Sequence, residues 1–138
     1  MTDALPVDTD AVYELMAHER RRHLLYLLCE SDVATVETLS RTLAAHEEGA
    51  APRSVSDTAI DRVGISLVHD HLPRLADHGL CEFDARSGDV VPVDSLDTLR
   101  PTLESALDVE VADGHTERTP LSVLYSEPSE DRFLVEDA

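Results

Sequence analysis

Three consecutive arginines, Arg20, Arg21 and Arg22, are the residues of this chain best equipped to act on an anion. A guanidinium offers a planar fork of donors that matches a phosphate. The triplet stands in His18-Glu-Arg-Arg-Arg-His-Leu-Leu-Tyr-Leu-Leu-Cys29, directly before an apolar run. Helical residues advance ~100° each, so the three fan across roughly 200° and cannot all face one partner. One or two are expected to reach a phosphate backbone. The remainder is expected to pair with local acids such as Glu14 or Glu19, or to cover the core edge with its stem.

Other candidates for chemistry are weaker. His69-Asp-His71 offers two imidazoles, but residues two apart on a helix point to opposite sides and cannot hold one ion together. Zinc-binding helices space their histidines by four. His71 falls on an apolar stripe and is expected to pack there, whereas His69 is available to a partner. His78 and Cys81 could form half of a metal site, yet no complementary pair stands elsewhere. The chain has no Gly-x-Gly-x-x-Gly, P-loop, nucleophile elbow or His-Glu-x-x-His. No cofactor or metal is expected, and the protein is not expected to be an enzyme. Cys29 and Cys81 sit in apolar neighbourhoods and are expected to be small buried hydrophobes in a reducing, cytoplasmic setting.

The 138 residues fit one domain with extensions, and 42% apolar content is enough for a core. No run approaches the ~18 apolar residues of a membrane span, and Met1-Thr-Asp-Ala-Leu-Pro carries no signal-peptide pattern. The formal charge is -18, all 11 basic residues are arginine, and aspartate outnumbers glutamate. Such a lysine-free, acidic composition resembles that of proteins from salt-in halophilic archaea. In molar salt the Debye length is only ~3 Å, so distant like charges hardly interact and an acidic chain is not barred from DNA.

The elements that must position these residues follow from periodicity. Residues 1–9 read as a flexible N-terminal tail. Thr9 or Asp10 caps a first helix that runs through the apolar run to Cys29. Thr35 caps a second, with Val36, Leu39 and Leu43 on one face. Ser54 or Ser56 caps a third, with Ile60, Val63, Leu67, His71 and Leu75 in a stripe. Pro73 inside that pattern predicts a kink or a break. Gly79 stops it, and residues 80–93 alternate as a β-hairpin whose turn is Arg86-Ser-Gly-Asp89. Pro92 restricts the second strand there to an edge or an end. Residues 94–109 predict a C-terminal amphipathic helix, with Pro101 splitting it or lying in its first turn. Leu96, Leu99, Leu103 and Leu107 line one side, either packed on their own domain or forming a dimer seam. Residues 110–138 read as an acidic tail, with Leu121 to Tyr125 a short strand or docking segment.

Helix, helix, helix, hairpin is the order of a winged helix-turn-helix, a mainly α fold with a small β-hairpin, here with an added C-terminal helix. Two stretches sharpen this. Tyr13-Glu-Leu-Met-Ala-His-Glu-Arg-Arg-Arg-His-Leu-Leu-Tyr-Leu-Leu resembles the first helix of an uncharacterised family of haloarchaeal winged-helix domains. Val68-His-Asp-His-Leu-Pro-Arg-Leu-Ala-Asp-His-Gly-Leu is similar to that family's His-x-His-Leu-Pro-x-Leu signature. The resemblance covers roughly residues 10–93. It implies a DNA-binding transcriptional regulator, whose third helix enters the major groove while the hairpin serves as a wing.

On that expectation the DNA-contacting residues are Arg20, Arg21, Arg22, Arg53, Arg62, Ser66, His69, Arg74 and Arg86. The partner is double-stranded DNA, read by a homodimer without membrane attachment. The third helix argues against this, because its exposed side offers four acids, Asp57, Asp61, Asp70 and Asp77, and only two arginines, Arg62 and Arg74, a poor match to phosphates. The alternative is a winged-helix protein-interaction or dimerisation module that does not bind DNA.

Overall fold

In the computed structural model, which describes residues 8–112, the chain enters its first helix slightly earlier than the predicted caps allow. Asp8 is extended, and its carboxylate accepts from the Ala11 amide at 2.8 Å. This satisfies one of the donors that every helix start leaves open. Helix α1 spans Thr9–Met16 and α2 spans Glu19–Cys29, so the single long first helix predicted from the sequence is two helices broken at Ala17 and His18.

Helix α3, Val36–Glu48, starts as predicted: Thr35 Oγ1 accepts from the Thr38 amide at 3.1 Å. It ends at Gly49, whose φ of 68° lies in the left-handed region that favours glycine. Ser56, one of the two predicted caps, accepts from the Ala59 amide and opens α4, Asp57–Ser66. The disturbance predicted at Pro73 is a change of winding. Residues 67–71 form a π-type turn in which the Leu72 amide donates to the Leu67 carbonyl five residues back. Helix α5, Leu72–Asp77, follows with Pro73 in its first turn. A proline has no N–H to give and crowds the carbonyl four residues behind it, and the wider turn relieves both problems. The apolar stripe survives: Ile60, Val63, Leu67, His71 and Leu75 are all buried.

Strands β2, Cys81–Asp84, and β3, Asp89–Pro92, form the predicted hairpin, with Phe83 opposite Val90. Pro92 ends β3, where its missing donor does not interrupt the ladder. A third strand went unpredicted. Ala34–Thr35, β1, pairs antiparallel with β3, Ala34 opposite Val90, giving the order β1-β3-β2. At two residues it is too short to show alternation. The fold is thus mainly helical with a small three-stranded antiparallel sheet.

The C-terminal helix differs from its predicted bounds. Residues 94–99 form a 3-10 turn, and α6 runs Arg100–Ala112 with Pro101 in its first turn. Glu110, assigned above to an acidic tail, is therefore helical. Residues 1–7 and 113–138, and with them the Leu121 to Tyr125 segment, lie outside the described residues. Leu96, Leu99, Leu103 and Leu107 are at most 5% exposed and join the core that includes Leu24, Leu25 and Leu28. The dimer seam expected of them is corrected: their surface is already covered by their own chain.

Candidate interaction surface

The break between α1 and α2 leaves the last carbonyls of α1 without helical partners. The arginine triplet supplies them. Arg21 Nε donates to the Leu15 carbonyl at 2.8 Å and its Nη2 to the Glu14 carbonyl at 2.9 Å. Arg22 Nη1 donates to the Met16 carbonyl at 2.6 Å. Two guanidinium groups thus cap the end of α1, where the helix dipole favours positive charge.

The rest of the triplet binds more distant elements. Arg20 grips Glu47 through Nε at 2.7 Å and Nη2 at 2.8 Å, and its Nη1 donates to Ser66 Oγ at 2.9 Å. One side chain therefore ties α2 to the ends of α3 and α4. Arg22 Nε donates to Glu110 Oε2 at 2.8 Å. The Tyr26 hydroxyl donates to the same oxygen at 2.6 Å, and His23 Nε2 lies 2.8 Å from Oε1. Glu110 is 5% exposed. Burial opposes its charge, but the hydrogen bonds from Arg22, Tyr26 and His23 together outweigh burial and hold its pKa down to about 2.

These contacts correct part of the expected DNA surface. Arg21 is 5% exposed, so no phosphate reaches it. Arg20, Arg22 and Ser66 are engaged inside the domain. Arg74 bonds Asp70 at 2.9 Å and Glu14 at 3.1 Å, joining α5 to α1. What remains outward is Arg53 in the turn before α4, Arg62 on α4, His69 on the π-type turn and Arg86 at the hairpin turn, all exposed. Among the described residues, the Arg62 and Arg86 side chains have no ion pair or hydrogen bond.

The two histidines point apart as their spacing predicts. His71 is 1% exposed and packs edge-on against the His18 ring at 4.7 Å, while His69 is exposed. Cys81 is buried and its thiol is pushed up to about 11 by burial. Ligand atoms of Glu19, His23 and Glu110 lie within 4.8 Å of one another, a spacing a metal ion could use. Both Glu110 oxygens are already held, however, and the Arg22 guanidinium beside them opposes a second cation. The cluster acts as a polar clasp between α2 and α6.

An open groove of about 590 Å³ runs between α3 and α4 with the π-type turn that follows it. Val36, Ile60, Ile65 and Val68 give it an apolar lining, and Glu37, Asp61 and His69 border it. Ile65 is 61% exposed. Gly64 permits the close approach of the two helices, since a Cβ there would stand 3.1 Å from Ser40 Oγ. Sequence reasoning missed this groove, although Ile65 falls off the buried stripe and was a usable signal. Glu47 and Glu110 carried no local signal, being 27 and 84 or more residues from their partners.

A family model described as a domain of unknown function (DUF7344) matches residues 13–91, and the chain belongs to that family. No curated protein and no solved structure matches the chain.

Proposed function

We propose that this DUF7344 domain is a winged-helix DNA-binding module, working as a transcriptional regulator in the cytoplasm of a salt-in halophile. The element order supports this: a helix, a short strand, two further helices and a hairpin, with the short strand paired on the hairpin. In that arrangement α4 enters the major groove and the β2–β3 turn lies along the backbone. One observation carries the proposal. The arginines expected at DNA divide into an inward set that holds the helices together and an outward set on the elements a winged helix turns toward DNA. Arg62 and Arg86 are exposed and unpaired among the described residues.

Each outward residue has a role in this proposal. Arg53 and Arg86 meet phosphates, and Arg62 and His69 face the groove beside them. Asp57 and Asp61 accept from cytosine amino groups or face solvent. With two phosphate contacts the salt slope is shallow, roughly -1.8. Binding then survives molar KCl better than that of a strongly basic protein. The leucines of α6 are buried in their own chain, so a dimer reading two half-sites would need another surface.

The test is selection from fragmented genomic DNA in molar KCl, comparing the native chain with an Arg62→Glu, Arg86→Glu variant. Sequence-selective recovery by the native chain, lost in a variant of unchanged thermal midpoint, is expected. A folded native chain that recovers no sequence overturns the proposal. Arg20→Glu is not an equivalent test, because it breaks the bond to Glu47.

A further inference from the structure

The groove beside α4 has the wrong chemistry for phosphate. Its walls are Val36, Ile60, Ile65 and Val68, and carboxylates of Glu37 and Asp61 stand at its border. A phosphate backbone would bring negative charge to acidic groups and leave the apolar walls without a partner. Ile65 is 61% exposed near the C-terminal end of α4, whose other apolar residues are largely buried. Ser40, 2% exposed, contributes to the same groove, and its hydroxyl has no hydrogen-bond partner among the described residues. An apolar slot with an acidic border fits an amphipathic segment with basic flanks.

We propose that this groove docks a basic amphipathic helix of a partner protein. Leucine-sized side chains at i, i+3 and i+4 would cover Ile65, Val68 and Val36. Arginine or lysine on the flanks would face Glu37 and Asp61. Charge complementarity selects this occupant over a second copy of the chain, which would bring its own acids to the same border. The C-terminal segment of this chain lacks the required net charge: residues 113–138 hold two arginines against seven acidic residues. The groove shares α4 with the proposed DNA face, so the segment and a duplex exclude one another. The docking itself does not depend on DNA binding.

The experiment titrates the full chain into a fluorescein-labelled helical peptide of leucine and arginine in amphipathic order, in molar KCl. A peptide with glutamate replacing arginine is the control. Micromolar binding of the basic peptide, and none of the acidic one, is expected. Ile65→Glu should weaken binding tenfold or more although it makes the protein more negative. Non-specific charge attraction would move the other way, so unchanged or tighter binding by Ile65→Glu overturns the proposal. Glu37→Arg, Asp61→Arg should shift preference toward the acidic peptide, and equal binding of both peptides by the native chain also overturns it. Self-association in sedimentation that Ile65→Glu abolishes would reassign the groove to a second copy. Tighter peptide binding by Leu121→Glu, Leu124→Glu would reassign it to this chain's own C-terminal segment. An Arg86→Glu chain should bind the peptide like the native one, which separates failure here from failure of the DNA proposal.

Discussion

Arg22 and Glu110 stand 88 residues apart in the chain and 2.8 Å apart in the fold. Their contact joins the start of α2 to the far end of α6, with Tyr26 and His23 on the same carboxylate. It also answers why so acidic a chain keeps three arginines in a row. Arg20 binds toward α3 and α4, Arg21 toward α1, and Arg22 toward α1 and α6. The fan that prevents the triplet from facing one partner lets it serve several elements at once.

Removing the carboxylate should expose how much this clasp stabilises the fold. Glu110→Ala leaves Arg22, Tyr26 and His23 without their shared acceptor. Breaking a buried ionic group by deleting one partner costs about 3–5 kcal/mol, and the partial exposure of Arg22 places this case near the lower end. A urea midpoint within experimental error of the native value would contradict the clasp.

Arg21→Ala should loosen α1 selectively. The variant frees the Leu15 carbonyl and leaves the Glu14 carbonyl only the Ala17 amide at 3.3 Å, and bonds from a charged donor contribute roughly 1.5–3 kcal/mol each. Hydrogen exchange of the α1 amides should quicken more than that of α6. Equal acceleration in both helices would mean that Arg21 acts on the whole domain and not as a cap.

Stability should fall as the solution is acidified from neutrality. Burial, above all, lowers the His71 pKa from 6.5 to about 4, with His18, Arg21 and Arg20 adding to the effect and Asp70 opposing it. Burial shifts His46 in the same direction. Below about 6.5 the unfolded chain takes up protons that the folded chain refuses, so stability is full above that pH and declines toward 4. Glu110 acts lower, between its ordinary 4.5 and about 2, again losing stability as pH falls. His71→Leu should flatten the urea midpoint between pH 6.5 and 4. An unchanged slope would remove His71 from this account.

Both thiols should resist modification in the folded state. Burial pushes Cys29 and Cys81 up to about 11, leaving little thiolate at pH 8. An aromatic disulfide reagent should titrate neither quickly until denaturant is added, with half-buried Cys29 reacting first. Rapid native reaction of Cys81 would contradict its burial.

Local patterns determined much of this protein. The apolar stripe from Ile60 to Leu75, the Thr35 cap, the hairpin and the opposed His69 and His71 follow from periodicity and backbone chemistry within a few residues. The disturbance at Pro73 was legible too, though its form as a π-type turn depends on how the helix on either side packs. Tertiary structure alone decided the fate of the charges. An arginine looks the same in sequence whether it meets a phosphate, a helix end or a carboxylate 88 residues away. The choice depends on which acids and carbonyls folding brings within ~3 Å, and long-range pairing leaves no periodic trace. The leucines of α6 show the same limit: their spacing specifies an apolar face, and the chain's own core, packed against that face, decides what covers it.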